Sequence, residues 1–214
     1  MDERTARVHL IERGIADPRV IAAFRNVRRE LFLPDYLASE AYGDHPLPIG
    51  FGQTISQPYM VAAMTELLQP QETDVILEVG AGSGYQAAVL ATLVARVITI
   101  EVVRELAEEA RTRLERLGYG NVEVLTGDGY QGLPECGPFD GIIVTCAPDH
   151  IPPPLIEQLA DGARLVVPVG PAYGRQQLWV VERHGGQTQR WQAMDVAFVP
   201  LTGPHAGGAA QAQG

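Results

Sequence analysis

The sequence predicts an α/β protein built on a doubly wound, mostly parallel sheet, with helices at its N-terminus and an antiparallel hairpin at its C-terminus. Three observations carry this. Apolar runs rich in β-branched residues, Val75-Ile76-Leu77, Val97-Ile98-Thr99-Ile100 and Ile142-Ile143-Val144, alternate with helical segments, as buried parallel strands in βα units do. Glycines on alternate positions, Gly80, Gly82 and Gly84, directly follow the first run. Near the end, residues 177–182 and 191–201 flank His184-Gly185-Gly186, the composition of a hairpin turn at the sheet edge.

Each element has its own signal. A helical segment holding Val8, Leu10 and Ile11 ends at Gly14. Asp17-Pro18 reads as an N-cap followed by proline at the first helical position, and Val20, Ile21, Phe24 and Val27 supply the apolar face. Residues 33–57 are rich in Pro and Gly and lack periodicity, which predicts a long loop over a site. Helix resumes at Pro58 with Met60, Val61, Met64, Leu67 and Leu68. Then come strand 75–79, helix 84–93, strand 96–101, helix 103–117 closed by Gly118, strand 121–125, a central strand 139–145, a short helix 154–159 and strand 164–168. Residues 1–206 read as one domain whose helices and loop 1–57 cover the site, and 207–214 as a disordered tail.

Composition narrows the function. With 214 residues and 46% hydrophobic content the chain can bury a sizeable core. Its 16 basic and 26 acidic residues leave a charge of −10, the wrong sign for gripping phosphate backbones, so no nucleic-acid partner is expected. An apolar run of membrane-spanning length is lacking, and Met1-Asp2-Glu3-Arg4 does not open a signal peptide. The expectation is a soluble, cytoplasmic protein without a membrane partner. Cys136 and Cys146 are too few for a zinc site and read as small hydrophobes; no metal is expected.

The loop Glu78-Val79-Gly80-Ala81-Gly82-Ser83-Gly84 opens the helix at Tyr85, so a nucleotide-type ligand at a helix N-terminus is the leading idea. A dinucleotide fingerprint requires glycine at its sixth position, where Tyr85 stands, and no Gly-Lys-Ser/Thr marks a phosphate-cradling loop. The acid-x-Gly-x-Gly-x-Gly pattern instead resembles S-adenosylmethionine-dependent methyltransferases. That cofactor carries a sulfonium and an ammonium group and no phosphate, so nearby carboxylates help. Glu78 precedes the loop, and Glu101 ends the next strand 21 residues after Gly80, close to the roughly 20 expected of an acid that binds ribose hydroxyls.

A more specific resemblance covers nearly the whole chain. Residues 46–60, with Gly52-Gln53-Thr54-Ile55-Ser56-Gln57-Pro58 at their heart, then 77–86, Gly127-Asp128-Gly129, 139–144, 165–170 and Val199-Pro200-Leu201-Thr202 resemble the protein-L-isoaspartate (D-aspartate) O-methyltransferase family. The resemblance implies a monomeric repair enzyme that moves a methyl group from S-adenosylmethionine, leaving S-adenosylhomocysteine, to the α-carboxylate of isoaspartyl residues in damaged peptides and proteins. The ester then closes to a succinimide that hydrolyses partly to aspartate. It makes Ser56 the active-site residue. It assigns Gln53, Thr54, Ile55, Glu78, Gly80, Gly82, Ser83, Gly84, Glu101, Val102, Asp128, Gly129 and Thr202 to the cofactor site. Glu101 would hold the ribose, Asp128 and Gly129 the adenine, and Thr202 would close the site. One departure is Val61, where some family members carry histidine.

Plainer readings stand beside these. Ser56 could cap the helix after Pro58, Asp128 could be only a turn former between two glycines and Thr202 a strand-end hydroxyl; Asp44-His45 looks like an acid–base dyad, but adjacent residues seldom aim at one target and the stretch reads as loop. Other classes also remain: a methyltransferase of small molecules or bases, although Thr145-Cys146-Ala147-Pro148 is not the aromatic segment of base modifiers; a nicotinamide dehydrogenase, disfavoured by Tyr85; and a non-catalytic cofactor-binding module.

Overall fold

Five parallel strands form the centre of the molecule. The structure, a computed structural model, describes residues 1–172 and 174–205; the expected tail at 207–214 lies outside them. Strands β3 (Val75–Val79), β4 (Arg96–Glu101), β5 (Val122–Thr126), β6 (Phe139–Val144) and β7 (Leu159–Val169) pair in the order β5-β4-β3-β6-β7, and β8 (Gln176–His184) and β9 (Gln187–Val196) extend the sheet antiparallel. The β8–β9 turn is the two residues Gly185 and Gly186 with φ of 56° and 79°, positive at both positions as a type I′ turn needs. From β3 the chain winds outward to β5, then returns to place β6 on the other side of β3. The carboxyl ends of β3 and β6 thus flank a topological switch point, where open α/β sheets bind ligands.

Both sheet faces are covered. Ile76, Val97, Ile143 and Val166 point to one layer, and Leu77, Ile98, Ile142 and Leu165 to the other, which is why these strands read as continuous apolar runs. Helices α3 (Pro58–Leu68), α4 (Tyr85–Ala91) and α5 (Arg104–Arg116) join the first layer, with α6 (Pro153–Glu157) on the second. At the N-terminus α1 (Glu3–His9) is capped by Asp2, which accepts the Thr5 N–H at 2.7 Å. The Asp17-Pro18 reading holds: α2 (Pro18–Asn26) starts with Asp17 accepting the Arg19 N–H at 2.8 Å.

Three stretches differ from expectation. Residues 33–57 are not simply loop: they hold a 3-10 helix, Asp35–Glu40, and an antiparallel ribbon of β1 (Leu47–Gly50) and β2 (Gln53–Ile55). Strands of four and three residues are too short for alternation to show in sequence. Strand β7 begins at Leu159, before the expected Arg164, because Leu159 pairs with Phe139 of β6 ahead of an irregularity that holds Gly162 at a φ of +82°, after which pairing resumes at Arg164. Strand β9 lies earlier than 191–201. Its first half, Gln187 to Gln192, is exposed, so this edge strand shows no apolar alternation.

Candidate active site

A cavity of about 820 Å³, open mouth included, lies at the switch point, within the range of small-molecule sites. Residues 78–83 after β3, Ile100, Glu101 and Val102 at the end of β4, and Gly129, Thr145 and Cys146 line it. So do Gln53, Thr54, Ile55 and Ser56 from β2 and residues 198–202 of the C-terminal segment. That segment reaches the site by pairing Ala147 with Pro200 and by the Leu201 N–H donating to the Ala147 carbonyl at 2.8 Å.

The glycines have separate causes. At Gly80, φ is +98°, and a Cβ would sit 2.4 Å from Thr145 Oγ1. At Gly82 a Cβ would come within 3.3 Å of Ile49 Cδ1, so the β1–β2 ribbon closes directly on the loop. Gly84 packs the other way, 3.1 Å from Leu114 Cδ1 for an added Cβ, and is absent from the lining; it lets α4 approach α5. Gly129 does line the cavity, where a Cβ would strike Val79 Cγ1 at 2.4 Å.

Two carboxylates define the electrostatics. Glu101 accepts the Gly82 N–H at 2.8 Å and the Val103 N–H at 3.0 Å, one on each oxygen, so it fastens the loop to β4 and keeps acceptor capacity on both oxygens. Glu78 is fully buried and neither oxygen has a partner. Burial pushes its carboxyl up to about 8; Thr99, at the same register on β4, offsets part of this and Glu101 adds to it. Beside them the Cys146 thiol is raised by burial and then by Glu101 and Glu78, so it stays a thiol rather than a nucleophilic thiolate. Cys136 is exposed, not a core hydrophobe.

This lining fits S-adenosylmethionine. An orphaned buried carboxylate asks for a cationic partner, Glu101 has lone pairs for ribose hydroxyls, and the glycine turns leave main chain open where Cβ atoms would fill space. Paired acids would repel a pyrophosphate.

On the opposite wall, Ser56 precedes α3 without capping it. The N-cap position is Gln57, which makes no side-chain cap bond. Asp44 serves there instead, accepting the Tyr59 N–H at 3.2 Å while pairing with Arg13. The capping role thus falls to Asp44, and the Asp44-His45 dyad is a structural pair of neighbours whose side chains serve different partners.

Of the expected site residues, Gly84 and Asp128 alone are not in the lining. Asp128 accepts the Tyr130 N–H at 3.1 Å on one oxygen and pairs with His205 at 2.5 Å through the other, as a turn former that also ties down the C-terminal segment. Thr202 does line the cavity. Sequence reasoning overlooked Met64, Tyr85, Gln86, Thr145, Cys146 and Phe198. The position of Thr145 and Cys146 just after β6, opposite the glycine loop, was the available signal.

The profile of the family described as protein-L-isoaspartate(D-aspartate) O-methyltransferase matches residues 4–206. Protein-L-isoaspartate O-methyltransferase 2 of Syntrophobacter fumaroxidans is 55% identical over 190 residues, covering 88% of this chain and 77% of that protein. A solved protein-L-isoaspartate O-methyltransferase superposes with a TM-score of 0.86 at 31% identity, over 95% of this chain and 66% of the other, so the chain spans just under two thirds of that longer protein. A Plasmodium falciparum chain solved in complex with S-adenosyl-L-homocysteine gives a TM-score of 0.80 at 26% identity, over 94% and 99%. The chain belongs to the protein-L-isoaspartate (D-aspartate) O-methyltransferase family.

Proposed function

We propose that this chain methylates the α-carboxylate of L-isoaspartyl, and also D-aspartyl, residues in damaged peptides and proteins, starting their return to aspartate through a succinimide. The observation that carries this is the convergence of the Gln53–Ser56 segment and the Glu78/Glu101 pair on one cavity. When bound, S-adenosylmethionine supplies an electrophilic methyl group on a sulfonium. Glu101 would hold its ribose, Glu78 would face its cationic end, and Gln53, Thr54, Ile55, Gly80, Gly82, Ser83, Val102 and Gly129 would enclose it. Thr202 would close the C-terminal side, with Asp128 acting from behind by anchoring that segment.

The acceptor carboxylate is anionic at neutral pH, ordinary values lying near 4, so no general base is required. The task of Ser56 is to orient that carboxylate by donating its hydroxyl proton in a hydrogen bond. Orientation and exclusion of water can together contribute roughly 7 to 11 kcal/mol. We read the protein as a cytoplasmic monomer; among the described residues no helix is long and apolar enough to cross a membrane.

Methyl-labelled S-adenosylmethionine should label a peptide containing isoaspartate and spare the same peptide with aspartate. The two carboxylates differ in reach by about one ångström, an error worth on the order of 100-fold in rate. Equal labelling of both, or labelling of a small acceptor alone, would assign the cavity to another methyl transfer.

A further inference from the structure

Arg29 opens the 3-10 helix Arg29–Phe32 after α2 and is completely buried. Its guanidinium donates to the carbonyls of Ala41, of His45 at 3.4 Å and of Ser56 at 3.0 Å, while its Nε has no partner. Among the described residues no carboxylate lies within ion-pair distance of it. The nearest carboxylate influence on it, felt after the Tyr85 phenol, is Asp44, which is already committed to Arg13 and to the Tyr59 N–H. A guanidinium keeps its charge in a protein, and an interior charge with only carbonyl partners is costly.

The three carbonyls mark points along the segment that ends at Ser56, so Arg29 straps the wall that carries the hydroxyl. A strap alone leaves the positive charge without a purpose. The reaction supplies its counter-charge, because the acceptor arrives as a carboxylate at the residue whose main chain Arg29 holds. The cofactor is cationic and would face Glu78 and Glu101, on the other wall.

We propose that Arg29 is a positioning residue for methyl transfer, one that fixes Ser56 from behind and provides the buried positive potential that draws the acceptor carboxylate to it. This rests on reading Ser56 as the acceptor-binding residue. Two effects follow. Losing the fork disturbs the geometry of Ser56, and losing the charge weakens binding of an anionic acceptor more than that of a neutral one.

The test compares an isoaspartyl peptide with the same peptide bearing an α-carboxamide, used as a competitive inhibitor at saturating S-adenosylmethionine. Arg29→Gln should raise KM for the carboxylate peptide about tenfold or more, while the carboxamide Ki and the cofactor Kd stay within about twofold. Arg29→Lys keeps the charge without the planar fork and should lower kcat about tenfold with KM within about threefold of wild type. If Arg29→Gln does not fold, Arg29→Lys carries the test alone. Equal weakening of carboxylate and carboxamide, in either variant, reduces Arg29 to a strap and overturns the proposal, as does an unchanged KM in folded Arg29→Gln. Ser56→Ala is run in parallel. If it leaves kcat and KM untouched, the reading of Ser56 is what fails, whereas normal Arg29 variants beside an impaired Ser56→Ala reject the role of Arg29 alone.

Discussion

Replacing Glu78 by Gln should stabilise the free protein, and increasingly so as pH rises. Glu78 is fully buried without a hydrogen-bond partner on either oxygen, and burial holds its carboxyl at about 8 against an ordinary 4.5. Between those values the unfolded chain has released the proton and the folded chain retains it. Wild-type stability therefore falls as pH climbs through this window, by up to about 1.4 kcal/mol per unit for one group. Over the whole span the loss is on the order of 4 to 5 kcal/mol, all of it regained below the unfolded value. Glutamine does not titrate, so the difference between variant and wild type should widen from pH 5 to 8 and level off above. Urea unfolding of both proteins at pH 5, 6, 7 and 8 measures this difference directly and cancels every other titrating group. A difference that stays constant with pH would mean that Glu78 is solvated or partnered in the folded state, and the case for an orphaned acid awaiting a cation would fall with it.

Glu101→Ala removes the acceptor of the Gly82 and Val103 N–H groups together with the proposed ribose contact; calorimetry should show S-adenosylmethionine binding weakened roughly 10- to 100-fold, since bonds to a charged group are worth about 1.5 to 3 kcal/mol. Ser56→Ala should lower peptide turnover about tenfold or more with cofactor Kd and melting temperature preserved; a melting loss without a turnover loss would restore the capping role that the structure gives to Asp44. Gly80→Ala places a Cβ 2.4 Å from Thr145 Oγ1 at a φ of +98°, and should lower the melting temperature by roughly 5 to 10 °C while weakening cofactor binding.

Legibility in the sequence followed locality. The strands β3, β4 and β6 could be read because burial on both faces forces unbroken β-branched runs, and the Asp17 cap and the Gly185-Gly186 turn because their chemistry is confined to neighbouring residues. The loop and Glu101 could be read because a βα unit fixes their spacing. Strand β9 could not, since an edge strand has one exposed face and a free rim and tolerates Gln187 to Gln192. Nor could the division of labour among the glycines: Gly84 serves Leu114 on α5 while Gly80 and Gly82 serve the cavity, a distinction made by tertiary neighbours. Asp128 carries the motif of a ligand, yet it stands outside the cavity lining with Tyr130 and His205 on its two oxygens. Arg29 was invisible for the same reason, because beside Arg28 it reads as one more solvated cation.

On the proposed reading, the placement of charge explains how one small cavity would sort two ligands of opposite sign. On the β3–β4 side two acids stand together, Glu101 fastened by main-chain N–H groups and Glu78 buried with no partner, a group that an incoming cation would hold ionised. On the side of β2 and α3 the only fully buried charged group among the described residues is a guanidinium tied to carbonyls. A cationic methyl donor is favoured at the first pole and an anionic acceptor at the second, and exchanging them would bring like charges together in a poorly screened interior. Transfer would cancel the sulfonium charge and esterify the carboxylate, so the basic pole loses its partner, while S-adenosylhomocysteine keeps the ammonium group and ribose hydroxyls that face Glu78 and Glu101. The charge pattern that orders the substrates would therefore also weaken the hold on the methyl ester.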